Sequence, residues 1–348
     1  MIDPQWLEAA INPPRALGAS LGRGRLRVEP EDFVVEEDLG FEPSGEGQHM
    51  LVKIRKRDAN TEWIARALAR FVGSRPHDVG FAGLKDRRAI AIQWFTVPNP
   101  SRAPIDWSQA NIEGCEILEA HPHTRKLPRG ALAGNRFTIR IRELQADPDA
   151  IRERLSAVQL RGVPNYFGPQ RFGREAGNLD RLTLPMSQWH PRERGFLLSA
   201  ARSLIFNAVL AERVREGSWD RLEAGDVANL DGKGSIFPVP AVDSELMERI
   251  GRLDVHPTAP LWGAELPITE GRIRELEIKT ADAFPIPREL SVQSGMRQER
   301  RALRMTVRDL EHELTNGDLI VSFRLGKGSF ATTVLAEVLE ASLEEEGD

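Results

Sequence analysis

One aspartate set among cations beside two glycines is the sharpest chemical feature of this 348-residue chain. The stretch Gly80-Phe81-Ala82-Gly83-Leu84-Lys85-Asp86-Arg87-Arg88 reads as a tight, backbone-exposed turn carrying Asp86 among Lys85, Arg87 and Arg88. Neighbouring cations favour the ionised form of a carboxylate at neutral pH. The apolar run Ile90 to Val97 that follows reads as a buried strand, able to hold such a turn still. A carboxylate presented in this way suits a nucleophile or a general base. The same residues also suit a solvated polar turn, so the choice depends on the rest of the chain.

Other chemistries find less support. Gly326-Lys327-Gly328-Ser329 and Gly232-Lys233-Gly234-Ser235 look like phosphate loops, but Gly stands after Lys where Ser or Thr is required, and no GxGxxG joins a strand to a helix. His121-Pro122-His123 offers two nitrogen ligands with no third ligand near in sequence, and no HExxH or HxE…PCxxC pattern is present. No serine sits in GxSxG. Cys115 is the only cysteine, which excludes an internal disulfide and a cysteine-rich zinc site. Neither a metal nor a nucleotide cofactor is expected.

The elements that would position Asp86 are partly legible. Phe33 to Glu37 and His49 to Arg55 read as strands, and Asn60-Thr61-Glu62 opens a helix whose apolar residues Trp63, Ile64, Ala67, Leu68 and Phe71 recur at helical spacing. The clearest strand lies within 131–143. There Phe137, Ile139 and Ile141 alternate with Arg136, Thr138, Arg140 and Arg142, so one face suits a core and the other either an RNA-facing or a solvated row of charge. Asp147-Pro148 is a cap followed by proline at the first helical position, with Ile151, Leu155 and Val158 as the stripe. After Leu160 the texture changes to the aromatic, glycine- and proline-punctuated loop Val163 to Gly173. A long helix over about 196–214 follows, then a broken region over 217–287 and a helix over 288–303 divided by Gly295. Met305 to Val307 and Leu319 to Leu325 read as strands joined through Asn316-Gly317, before a helix capped by Ser329.

Composition is ordinary for a soluble chain, with 41 % apolar and 28 % charged residues, and its length suits two domains. No uninterrupted apolar run approaches bilayer length and no secretory signal opens the chain, so no membrane association and a cytoplasmic location are expected. The net charge of −5 argues against a polyanionic partner, but Glu337, Glu340, Glu344, Glu345, Glu346 and Asp348 concentrate six acids at the end. Between His121 and Arg142 stand Arg125, Lys126, Arg129, Arg136, Arg140 and Arg142 with no acid, and further basic clusters occur over 53–57 and 297–308. Local fields matter more to a polyanion than the total, so RNA is permitted.

Five motifs in order decide among these readings. Pro30-Glu31-Asp32-Phe33-Val34-Val35, Phe81 to Arg87, Gly134-Asn135-Arg136-Phe137, Val163 to Gly173 and Gly328-Ser329-Phe330-Ala331-Thr332 together resemble the TruD-type tRNA pseudouridine synthases, from about residue 23 to about residue 335. The resemblance implies an α+β fold: a pseudouridine-synthase catalytic domain with a mixed, mainly antiparallel sheet and flanking helices, formed by 1–160 and 305–348. An inserted α/β TRUD domain would occupy 161–304. It implies isomerisation of uridine to pseudouridine at tRNA position 13, with tRNA as partner, no cofactor and no metal, and the chain is expected to be a monomer.

Residue roles follow from the same resemblance. Asp86 matches the essential aspartate acting on a flipped-out uridine. Phe33, Asn135 and Phe330 match substrate-contacting positions, Phe137 a stacking aromatic, and Arg27 a basic partner of the carboxylate. Lys85 and Arg87 would form its electrostatic setting. Two other classes remain at this point: a non-catalytic RNA-binding or RNA-chaperone protein on the same scaffold, and an unrelated metal enzyme using His121 and His123.

Overall fold

The computed structural model describes residues 3–86, 89–173 and 176–343, with side chains from Ala341 onward outside the description. Arg87 and Arg88, and the acids Glu344, Glu345, Glu346 and Asp348 of the expected tail, therefore lie outside the described residues. In chain order the elements begin with helix α1 (Pro4–Ile11) and strands β1 (Gly22–Leu26), β2 (Phe33–Asp38) and β3 (His49–Arg57). Helix α2 (Thr61–Phe71), strands β4 (Gly80–Phe81), β5 (Ile90–Pro98), β6 (Cys115–His123) and β7 (Gly134–Ala146), and helix α3 (Pro148–Arg161) follow. Then come β8 (Val163–Pro164), α4 (Gly177–Leu182), α5 (Pro191–Arg215), β9 (Asp226–Leu230), β10 (Ile236–Val239), α6 (Ser244–Gly251) and β11 (Val255–Leu261). The chain ends with α7 (Gly271–Asp282), α8 (Pro285–Gln293), β12 (Glu299–Ala302), β13 (Arg304–Met305), β14 (Arg308–Thr315), β15 (Asp318–Gly326), α9 (Ala331–Ala336) and β16 (Glu340–Leu343).

Contacts divide the chain into two compact units, one formed by 21–148, 308–328 and 339–348, the other by 1–20, 149–307 and 329–338. The partition differs from chain-order boundaries at 160 and 304, because 1–20, 149–160 and 329–338 are tied to the middle of the chain. Asn207 donates to the Ala9 carbonyl at 2.9 Å, Tyr166 Oη to that of Pro14, and Glu337 accepts from the Ala16 and Leu17 amides.

The first unit is built on a ten-stranded sheet with the order β14-β15-β7-β2-β5-β3-β6; β1 pairs with β7 and β16, and β4 with β5. Only the β2–β5 and β1–β16 pairings are parallel among those described. β7 behaves as its alternation requires: Phe137, Ile139 and Ile141 are buried while Thr138 is exposed. β5 is buried along most of its length, with Phe95 and Val97 packing beside α2 residues Ile64 and Leu68. Asn60 caps α2 by accepting from the Glu62 amide.

In the second unit α5 is enclosed by α1, α4, α7, α8 and β11. By length and composition α5 is long and apolar enough to cross a bilayer, although Arg202 interrupts its apolar run. Most of its apolar stretch is instead buried in this core, which also encloses Arg202 and Arg213. The broken region contains α7 and strands β9, β10 and β11, which form one sheet with β12, so it is more regular than its broken texture suggests. The expected helix over 288–303 ends at Gln293, and Glu299–Ala302 is a strand paired with Thr258–Leu261. Likewise α9 is capped at Phe330 without a side-chain bond, not by Ser329, and the last hairpin pairs Arg308–Thr315 with Asp318–Gly326.

Buried in this unit, His256 donates or accepts at 2.9 Å with Asp231 through Nε2 and accepts at 3.0 Å from Arg304 Nε through Nδ1. Arginine cannot accept, so Nδ1 carries no proton and Nε2–H faces the carboxylate. Burial lowers the His256 pKa below 6.5, Asp231 opposes that, and Arg304 adds to it. The unfolded chain then binds the extra proton first, so stability falls as pH drops below about 6.5. Thermal melts should show the midpoint decreasing from pH 7.5 to 5.5, with a shallower decrease in His256→Gln. An equal slope in the variant would exclude this histidine as the cause.

Candidate active site

Asp86 lies on the loop between β4 and β5, and its side chain is 62 % exposed. Arg27 donates to its Oδ2 at 2.9 Å. Arg27 directly follows β1 and has φ +60°, a left-handed conformation that costs a non-glycine residue of order 1 kcal/mol. Its guanidinium sits 4.1 Å from the Phe33 ring centroid, so the aromatic ring supports the cation that faces the carboxylate.

The loop is fastened largely through its main chain. Lys56, fully buried on β3, donates from Nζ to the carbonyls of Ala59 at 2.7 Å and Asp86 at 3.0 Å, and lies 3.5 Å from that of Lys85. Burial lowers the Lys56 pKa, with the Asp86 charge acting in the opposite direction. Gln93 Nε2 donates to the Gly83 carbonyl at 2.7 Å, the Lys85 amide to Thr61 Oγ1 at 3.2 Å, and the Gly130 amide to the Ala82 carbonyl at 2.7 Å. Gly80 permits the close approach at the loop's base, since a Cβ there would stand 2.4 Å from Thr96 Oγ1 and 2.6 Å from the Leu127 carbonyl.

Beneath the loop is a buried polar network. Glu37 accepts from Lys85 Nζ at 3.0 Å, Gln93 Nε2 at 3.2 Å and the Trp94 amide at 3.0 Å. Lys85 Nζ also donates to Asn135 Oδ1 at 2.6 Å. Register explains the assembly: Val35 pairs with Phe137 and Glu37 with Asn135 across β2 and β7. Arg27, Phe33, Lys85, Asp86, Asn135 and Phe137 thus occupy the same unit, with Phe33 edge-on to Phe137 at 6.0 Å and Phe137 5.8 Å from Phe323. Both Phe33 and Phe137 are buried by these neighbours. Phe330 belongs to the other compact unit and packs against its core.

Glu37, Lys56, Thr61 and Gln93 were not among the residues singled out from sequence as part of a site. Strand parity held a clue for two of them: Glu37 shares the inward parity of Phe33 and Val35, and Lys56 that of Val52 and Ile54. The expected cationic face of β7 is balanced by acids, Arg136 by Glu311, Arg140 by Asp318, and Arg142 by Glu29 and Asp32. Lys126 donates to the His77 carbonyl, and Arg129 stacks 3.7 Å above Phe81. His123 stacks on Phe41 and hydrogen-bonds to Ser44, while His121 contacts Glu119. Among the described residues no group of three or more His, Cys, Asp or Glu is placed to hold a metal. Burial pushes the Cys115 thiol up to about 11, which leaves it protonated and unreactive at neutral pH.

The family model for tRNA pseudouridine synthase D (TruD) matches residues 20–193 and 185–338. The chain belongs to the TruD family. It is 43 % identical over 332 residues to tRNA pseudouridine synthase D of Methylococcus capsulatus, covering 94 % of both chains. It is also 43 % identical to that of Nitrosococcus oceani, covering 92 % of this chain and 91 % of the relative. A crystal structure of a putative TruD from Methanosarcina mazei shares the fold with a TM-score of 0.73, at 23 % identity and with 97 % and 98 % of the two chains covered. As a TruD protein the chain is a tRNA pseudouridine synthase, an isomerase that modifies RNA, and its mixed, mainly antiparallel α+β architecture is the one expected.

Proposed function

We propose that the chain isomerises uridine 13 of tRNA to pseudouridine with Asp86 as the acting carboxylate and without a cofactor. The observation that carries this reading is the exposed Asp86 carboxylate, oriented by Arg27 at 2.9 Å on a loop whose main chain is fastened from below. An ionised carboxylate there can attack C1′ or C6, or take a proton from the sugar. The glycosidic C1′–N1 bond breaks, the uracil turns, and a C–C bond forms from C5 to C1′ as any bond to the carboxylate is released, with the C5 proton lost to solvent and one proton taken up at N1. Atoms balance without an oxidant or a metal. Arg27 fixes the direction of the carboxylate. Uridine must first leave its stack, which costs a few kcal/mol, and Phe137, packed here against Phe33 and Phe323, is proposed as the aromatic that offsets part of it. Phe330 is proposed as a further substrate contact. Residues 161–304 are proposed as the family-specific insertion and the remainder of the chain as the catalytic domain.

The deciding assay mixes purified protein with unmodified tRNA transcripts, with and without EDTA, and maps pseudouridine by chemical adduct and primer extension. The expected product is one stop at the nucleotide 3′ to position 13, unaffected by EDTA and absent from a transcript with cytidine there. A stop elsewhere would overturn the positional assignment. Binding without any product would favour the RNA-chaperone reading, and loss of activity in EDTA would favour a metal enzyme.

A further inference from the structure

We propose that buried Glu37 fixes, through Lys85, which end of the Asn135 amide faces the substrate, and that this choice selects uracil over cytosine. The inference rests on the reading that the uridine reacts at the Asp86 loop. An ammonium has three donors and no acceptor, so the Asn135 atom 2.6 Å from Lys85 Nζ has to be the oxygen. The amide nitrogen then points away from Lys85, and among the described residues none accepts a hydrogen bond from it. Asn135 therefore presents a donor. A donor complements a carbonyl oxygen such as uracil O4, whereas cytosine has an amino group at that edge. Two donors facing each other leave both unpaired, and unpaired buried donors are the stronger basis for rejecting a base.

Lys85 holds this orientation only while it is itself held. Its side chain is 9 % exposed and Glu37 is fully buried, so the pair is screened from water. Glu37 cannot drift, because the Trp94 amide and Gln93 Nε2 also donate to it. Glu37 and Asn135 are cross-strand partners, which puts the anion, the cation and the amide side by side on one sheet. Without the Glu37 charge, Lys85 loses its buried counter-ion and the amide is free to turn over. Glu37 and Lys85 are thus positioning residues, and Asn135 is the group that reads the base.

The test uses two transcripts of one tRNA that differ only in uridine or cytidine at the modified position. Filter binding measures both dissociation constants for the full-length Asp86→Asn protein, in which turnover is arrested. The parent should favour the uridine transcript about tenfold, within the range for one well-placed base contact. Lys85→Met and Glu37→Gln should each bring the ratio close to one, and Lys85→Arg should keep most of it. Asn135→Asp, which preserves volume at a half-buried position and accepts through both oxygens, should reverse the ratio. A purely structural role would weaken both transcripts alike and leave their ratio unchanged. An unchanged ratio in Asn135→Asp or in folded Lys85→Met overturns the proposal, as does a parent with no preference. Turnover by Asp86→Asn would instead overturn the role of Asp86, a separate outcome that the binding ratio does not share.

Discussion

Asp86→Asn should convert no measurable uridine while binding tRNA within about threefold of the parent, a loss of at least about 10³ in single-turnover rate. The substitution is nearly isosteric, and the amide oxygen can still accept from Arg27, so the loop geometry and that hydrogen bond should survive. Lost are the negative charge and the basic or nucleophilic oxygen. Because the carboxylate is 62 % exposed and the loop is held by Lys56, Gln93 and Thr61, little of the fold depends on it. Single-turnover conversion of a labelled transcript, alongside its binding isotherm, separates chemistry from affinity. Turnover within tenfold of the parent would remove Asp86 from the mechanism.

The largest stability effect is expected at Arg213. Its guanidinium donates to both Asp226 oxygens at 2.9 and 3.2 Å and to the carbonyls of Ser218 and Arg221, with almost no exposure of either side chain. Arg213→Met removes the cation and leaves a buried carboxylate whose remaining described donor is the Glu223 amide. Breaking one side of a buried pair costs about 3–5 kcal/mol. Chemical denaturation should show that loss, and Arg213→Met combined with Asp226→Leu should recover part of it, because the stranded charge is gone. A single-variant loss below about 1 kcal/mol would show that water reaches Asp226 on substitution.

The legible parts of this protein were those written in neighbouring residues. Asn60 caps α2 and Pro148 opens α3, both readable because a helix and its start signal are adjacent in the chain. β7 was readable because inward and outward residues alternate without interruption. Glu299 to Ala302 shows the limit: its residues suit a helix, but pairing with β11 overrides local preference. The Arg136, Arg140 and Arg142 row looked cationic because its counter-ions lie at Glu29, Asp32, Glu311 and Asp318, far along the chain. Asp86, Arg27 and Asn135 were nameable from motifs. Their support was not, since a buried Glu37 or Lys56 has the same letter as a solvated one, and only the strand it sits on tells them apart.

Lys56 has a meaning beyond support. It grips peptide oxygens, and every residue at position 86 would carry one. The location of the Asp86 loop is therefore independent of the group displayed on it, much as a socket is independent of what is plugged in. Removing the Asp86 side chain would leave an open notch facing Arg27 rather than a collapsed loop. A small carboxylic acid from solution, formate or acetate, has the charge and shape to occupy that notch, so the scaffold and its reagent are separable parts.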